Sequence, residues 1–486
     1  MTGKTEKRKK HFAGGLQVLL LAGLLAAASG CGKSAGPSGD SDRKDSTEGF
    51  MNGEAEESRG ENPADAQGDS RNHGGEDQSG SDGKYKTAEW IAANQEETAA
   101  AVTDFGLRLL QQCIADGEAA IPESGQETAA GQQGTGNLVV SPLSVLSALN
   151  MTANGAGGET LKQMEETFGI SVPELSAYLS AWREASGDKK CRLDMANSIW
   201  FTEDDSFTVE QDFLDNCADS FGAEARRVPF DDSTLREIND WVNENTQGMI
   251  PEIVDKIPED AVMYLVNALA FEGEWEEIYR EDQVREGEFT QADGTVRNVE
   301  MMYSQEEQYL EDEHASGFLK YYAGRKYAYA ALLPEEGTDA AEYLLSLDGE
   351  KLRRILTGPV PAHVMAGIPR YESRYGAELG GMLQEMGMED AFDSSRADFS
   401  GIGHSLKGNL CISRVLHKSF IAVDEKGTRA GAATAVEMEA GGALSADEVR
   451  FVYLDRPFVY MIIDCETKVP VFMGIQTQAG QEGYGN

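Results

Sequence analysis

The stretch Asn137-Leu138-Val139-Val140-Ser141-Pro142-Leu143-Ser144-Val145-Leu146-Ser147-Ala148-Leu149-Asn150-Met151 decides how this chain is read. Leu138-Val139-Val140 is a short β-prone apolar run and predicts a strand. Ser141 then stands where a hydroxyl caps a helix, and Pro142 takes the first helical position, where a missing amide hydrogen costs nothing. The helix runs through Leu149-Asn150-Met151 and should stop near Asn154-Gly155-Ala156-Gly157-Gly158. A strand feeding straight into a capped helix is the first sign of a mixed fold.

Working outward, Ala88 to Ala115 carries apolar residues at Trp90, Ile91, Val102, Phe105, Leu107, Leu109 and Leu110, close to a helical period. Asn239-Asp240-Trp241-Val242-Asn243 also reads as helix. Tyr264-Leu265-Val266-Asn267-Ala268-Leu269-Ala270-Phe271 is a nearly continuous apolar run, which suits a strand buried on both faces. Val299 to Met302, Tyr327 to Leu333, Phe458 to Ile463 and Val469 to Gly474 read as further strands. Helices and strands alternate irregularly, so the expected fold class is α+β with large sheets.

The amino-terminal end has a different character. Lys4, Lys7, Arg8, Lys9 and Lys10 precede an apolar run from Phe12 to Ala28, the layout of a secretory signal. It ends in Ala28-Ser29-Gly30-Cys31, which resembles a bacterial lipobox and makes Cys31 the expected lipidation site; a plain signal peptide or a membrane helix are the alternatives. From Gly32 to Lys86 the chain is rich in Gly, Ser, Asp, Glu and Asn, with Phe50 and Tyr85 as its aromatics, so it cannot bury enough apolar surface to offset its ordering entropy. The division expected is a lipoprotein signal over 1–30, an acidic tether over 31–86 and a folded domain over 87–486. Glu123 to Gly136 reads as a surface loop. The expected location is the outer face of a bacterial cell membrane, with the lipid as the membrane contact.

Composition excludes whole classes of function. The chain has 486 residues and a formal net charge of -42, which argues against nucleic acid, because phosphate binding needs clustered Lys and Arg. Cys113, Cys191, Cys217, Cys411 and Cys465 are widely spaced with no CxxC pair, so no metal site is expected; buried thiols are the simpler reading, and one or two bridges the alternative. There is no GxSxG, HExxH or GxxxxGK, and the six histidines sit apart, so neither an enzyme nor a cofactor is expected. Gly155-Ala156-Gly157-Gly158 lacks a dinucleotide turn's third glycine, since Thr160 stands there, and follows a helix rather than a strand. A solute-binding lipoprotein would need a two-lobed α/β pattern that the carboxyl-terminal strands do not supply.

Six fragments in order then resemble one family, the serpins. Asn137 to Ser144, followed by Ala148 to Met151 and Gly155-Ala156, resembles its first signature. Leu265-Val266-Asn267-Ala268 with Phe271-Glu272-Gly273-Glu274-Trp275 resembles the second, although the family usually has lysine where Glu272 and Glu274 stand. Gly387 to Phe392 with Ala397-Asp398-Phe399-Ser400-Gly401 resembles a third. His417-Lys418 leads into Asp424-Glu425-Lys426-Gly427-Thr428, and Arg456-Pro457-Phe458 with Phe472-Met473-Gly474 closes the pattern. The resemblance implies the serpin fold, with three β-sheets, about nine helices and an exposed reactive-centre loop over about 425–452. It also implies that Ser141, Ser144, Asn267 and His417 form a hydrogen-bonded cluster under the opening of a sheet, and that Trp275 lies where the loop enters.

The loop itself is patterned like a strand. Positions 428, 430, 432, 434, 436 and 438 are Thr428, Ala430, Ala432, Thr434, Val436 and Met438, while Arg429, Gly431, Ala433, Ala435, Glu437 and Glu439 alternate with them. Side chains alternate faces along a strand, so the first set can turn inward while the charges stay in water. The expected hinge and inserting segment comprises Glu425, Gly427, Thr428, Ala430, Gly431, Ala432, Ala433, Thr434 and Val436, whose small residues slide between existing strands. Arg429 replaces the family's usual glutamate on the outward face. The function expected is an extracellular inhibitor that is cut by its target protease, inserts the cut loop and traps the protease covalently. A non-inhibitory serpin acting as a surface binding module is the alternative.

The family's usual spacing from Glu425 puts the reactive bond at Gly441-Gly442, and counting back from Pro457 puts it near Ala446-Asp447. Met438-Glu439 and Leu444-Ser445 are neighbouring alternatives. No Lys or Arg lies between Arg429 and Arg450, so the expected partner is an elastase-like or subtilisin-like protease of small or apolar preference, or a cysteine protease, met by a monomeric inhibitor.

Overall fold

A computed structural model describes residues 88–117, 136–185, 190–259, 261–428 and 449–480. The chain divides into two units, Met1–Asp77 and Gln78–Asn486, and every described residue belongs to the second. Cys31, the tether, most of the loop predicted over 123–136 and the loop residues 429–448 lie outside the described residues.

Among the described residues there are nine α-helices and three sheets, of nine, six and two strands. The stretch that opens the chain's reading folds as expected: Leu138–Val140 is a strand, and Pro142–Ala153 a helix whose cap, Ser141, accepts the Ser144 amide. Val139 and Val140 are fully buried, and the segment lies at the edge of the nine-stranded sheet beside the carboxyl-terminal strand Pro470–Gln476, its antiparallel partner. The opening helix spans Ala88–Asp116 and buries Val102, Phe105, Leu109 and Leu110.

The six-stranded sheet positions the site. Its strand order is Tyr371–Glu378, Leu416–Val423, Gly427–Thr428, Met263–Glu274, Cys191–Thr202 and Glu224–Val228. The apolar run 264–271 is covered on both faces, as its composition requires. Leu269 and Phe271 face the main core, whereas Val266, Ala268 and Ala270 join a second cluster with Trp241 and Val242 of the helix Asp232–Asn245.

None of the five cysteines from Cys113 to Cys465 forms a disulfide; Cys113, Cys191 and Cys217 are buried thiols. Burial pushes the Cys217 and Cys465 thiols up to about 12, which keeps them protonated and unreactive. Among the described residues no helix is long and apolar enough to cross a membrane.

Candidate functional site: a parted sheet

Two strands bracket the site. Met263–Glu274 pairs along its length with Cys191–Thr202, and Leu416–Val423 pairs along its length with Tyr371–Glu378. Between their facing edges lies the two-residue strand Gly427–Thr428. Thr428 is opposite Val423 on one side and Gly273 on the other, and Gly427 is opposite Glu274. Among the described residues, no ladder joins the two long strands beyond this point.

The short strand is held by several independent contacts. Gly427 packs so closely that an added Cβ would lie 2.0 Å from the Gly273 carbonyl oxygen, so only glycine fits. The Thr428 side chain is buried, with its hydroxyl 2.5 Å from the Tyr322 hydroxyl. Tyr322 stacks on Trp275 at 4.5 Å between ring centroids and 16° between planes. Trp275 donates its indole N–H to the Asp424 carbonyl and its backbone N–H to Lys426. The Asp424 carboxylate accepts the amides of Lys426 and Gly427, which turns the chain into the sheet.

Glu425 forms an ion pair with Arg370, which also binds Glu300 at 2.6 Å. Burial raises the Glu425 carboxyl, but the Arg370 hydrogen bond, a backbone hydrogen bond and the charges of Arg370 and Lys426 together hold it below its ordinary range. Beneath Trp275, Lys320 is buried against Glu306 at 3.0 Å and lies 4.4 Å from the Tyr279 ring centroid. These charges close the upper end of the site.

Further down, the floor is polar. Ser144 donates its hydroxyl to the Asn267 carbonyl oxygen at 2.5 Å, and Asn267 donates to Asn197, which also accepts from Ser147. On the other strand, His417 Nε2 accepts the Ser141 amide at 3.2 Å and lies 2.8 Å from the Ser419 hydroxyl. Nε2 is therefore the lone-pair nitrogen, and the neutral ring carries its proton on Nδ1. Burial lowers the His417 pKa to about 4. A cavity of about 470 Å³ runs along this floor, lined by Ser141, Ser144, Leu265, Asn267, His417 and Ser419.

The structure thus brings Ser141 to His417 and Ser144 to Asn267, in two hydrogen-bonded halves on opposite strands, and places Trp275 and Thr428 together at the top. Ala430, Gly431, Ala432, Ala433, Thr434 and Val436, and every candidate bond from Met438 to Ser445, lie outside the described residues. Sequence reasoning missed Tyr322, Arg370, Lys320, Asn197 and Ser147. The first three meet their partners across 106, 55 and 14 residues, and no local pattern announces such pairs. Asn197 and Ser147 did leave a signal, as polar residues inside apolar runs. Among the described residues no cluster of His, Cys, Asp and Glu suits a metal ion.

Fold and site together define an α+β protein whose central sheet is parted where a carboxyl-terminal loop begins. The chain belongs to the serpin family: residues 125–478 match the family described as "Serpin (serine protease inhibitor)". It is 30% identical to an uncharacterized serpin-like protein of Thermococcus kodakarensis over 349 residues, covering 70% of this chain and 80% of that one. It is 32% identical to leukocyte elastase inhibitor A of Rattus norvegicus over 359 residues, covering 70% and 92%. Among solved structures it resembles the thermophilic serpin tengpin in its native state, at 40% identity and a TM-score of 0.70, covering 79% of this chain and 94% of that one.

Proposed function

We propose that this protein inhibits a protease of small or apolar specificity by loop insertion and covalent trapping. The observation that carries the reading is Thr428, buried between two strands that no other described strand joins. Continued in the same antiparallel register, the chain would set Ala430 between Ile421 and Phe271, Ala432 between Ser419 and Leu269, and Thr434 between His417 and Asn267. Val436 would then meet Leu265. Each inward position receives a residue of the size and polarity its neighbours want, and Arg429, Glu437 and Glu439 fall on the other face.

In the proposed reaction the protease nucleophile attacks the Gly441 carbonyl, the Gly441-Gly442 bond breaks, and the amine leaves on Gly442. The acyl bond joins Gly441 to the protease. Insertion of the freed strand then moves the protease before water can hydrolyse that bond. The neighbouring bonds Met438-Glu439, Leu444-Ser445 and Ala446-Asp447 are the competing sites, which mass spectrometry of the released fragment separates.

Incubation with elastase and subtilisin tests the reading. A complex that survives denaturation and breaks at 429–448 is expected; cutting with no complex would instead leave a surface binding module. We further assign Cys31 to lipidation and 31–86 to a tether holding the inhibitor on the outer face of a bacterial membrane. Metabolic labelling with a fatty acid, lost in Cys31→Ser, is the expected result.

A further inference from the structure

Asp424 and Trp275 hold the chain through Lys426 and Gly427, and beyond them Thr428 is gripped by a side chain, Tyr322. Tyr322 follows the strand Ala315–Tyr321 and is fully buried. Its ring lies over Gly273, the residue that pairs with Thr428. A Cβ on Gly273 would sit 2.9 Å from Tyr322 Cδ1 and 2.8 Å from Phe271 Cζ, so glycine leaves the space that the rings fill. Trp275 stacks on the Tyr322 ring, Phe271 meets it edge-on at 5.0 Å between centroids, and the Tyr322 amide donates to the Tyr327 carbonyl. A ring held in this way aims its hydroxyl at the Thr428 hydroxyl, 2.5 Å away. Burial pushes the Tyr322 phenol well above its ordinary range, so it keeps its proton and the two hydroxyls share a hydrogen bond.

Packing alone does not account for this pair. Phe and Val would fill the same space and leave no polar group to satisfy. What the two hydroxyls add is a penalty for leaving: if Thr428 withdraws from the sheet, the phenol stays behind in a dry site without its partner. The sequence shows what that penalty protects. Two bonds bracket the seated residues and carry a cation on their acyl side, Lys426-Gly427 and Arg429-Ala430. A protease binds its substrate as an extended strand, and Gly427 and Thr428 cannot serve as one while they lie in the sheet. A cut at either bond would separate the inserting segment from the strand Leu416–Val423 that leads into it.

We propose that the Tyr322 hydroxyl is a positioning group: by holding Thr428 in the sheet it gives insertion a strand already begun, and it withholds the two bracketing bonds from proteases that cut after cations. The first half rests on the inhibitory reading above; the second does not. Trypsin tests the second half. Tyr322→Phe keeps the ring against Trp275, and Thr428→Val keeps the shape at 428, each without its hydroxyl. Mass spectrometry of the first fragments should show each variant cut at Lys426-Gly427 or Arg429-Ala430 at least about tenfold faster than wild type, with cutting elsewhere unchanged. The double variant should be cut no faster than either single, because both act through one shared bond. Wild-type rates at these bonds in Tyr322→Phe, or effects of the two variants that multiply, overturn the proposal. Should Tyr322→Phe fail to fold, Thr428→Val decides on the same rates. Elastase and subtilisin test the first half: Tyr322→Phe should yield about fivefold more cut product per complex, with attack on the loop no slower. A wild-type ratio there, with the bracketing bonds opened to trypsin, overturns the positioning role and leaves the inhibitor standing. If the wild type is cut without complex, the inhibitory reading falls, and the trypsin rates still decide what Tyr322 holds.

Discussion

His417 shows how a single residue sets the terms of the site. Its neutral ring accepts the Ser141 amide through Nε2, so a proton on that nitrogen would turn an acceptor into a second donor facing an N–H. Burial lowers its pKa from 6.5 to about 4. Between those values the unfolded chain binds the proton and the folded chain does not. The stabilisation is therefore complete above about pH 6.5 and is lost as pH falls toward 4, a change of about 3 kcal/mol. Urea unfolding at about pH 7.5 and about pH 4.5 should show that loss, and His417→Gln should flatten it; an equal slope in the variant would assign the pH dependence elsewhere. Gly427 makes the complementary point about shape. Gly427→Val would force a side chain into the Gly273 carbonyl, release Thr428 from its place and destabilise the protein by about 1–3 kcal/mol, read from the denaturation midpoint.

At the level of elements, legibility followed the polarity of the buried face. Met263–Glu274 and Tyr327–Pro334 are apolar on both sides and declare themselves as strands. Leu416–Val423 does not, because its inward residues include His417 and Ser419 while Leu416 and Phe420 pack against the outer cluster. Both faces are mixed, since Ile421 and Val423 are buried beside His417 and Ser419 while Lys418 alternates with them on the face of Leu416 and Phe420, so hydrophobicity alone does not say which face is covered. Cys191–Thr202 is hidden similarly by buried Asn197 and Ser198. The resemblance located His417 and Asn267, but which half of the network each joins depended on helix and strand meeting in space. The loop's own alternation makes a prediction at this scale. Val436→Glu places a charge on the inward face at a cost of several kcal/mol, whereas Glu437→Ala touches the outward face. On a denaturing gel with a protease that wild type traps, Val436→Glu should yield at least about tenfold less complex and correspondingly more cut product. Glu437→Ala should behave as wild type. Equal effects of the two would mean the segment never becomes a strand with one buried face.

For the whole molecule, the two core clusters lie on opposite faces of the six-stranded sheet, and a strand added between Met263–Glu274 and Leu416–Val423 would turn one face onto the larger cluster while Arg429, Glu437 and Glu439 stay on the other. Such a strand gains ladder hydrogen bonds on both edges, each worth about 0.5–1.5 kcal/mol net, and burial of Val436 and Met438 at about 1.5–3 kcal/mol each. Together these amount to something on the order of 10 kcal/mol, available only once the loop is cut and its end can travel the length of the sheet. On the proposed mechanism, the intact chain is held in a less stable arrangement by the continuity of its own backbone. Limited proteolysis within 429–448, followed by calorimetry of the cut and uncut proteins, measures that difference directly. The cut protein should melt at least about 10 °C higher, with Val436→Glu showing a smaller gain. A cut protein that melts at the same temperature as the intact one would mean that the sheet does not take up the strand, and the trapping reaction would have no source of free energy.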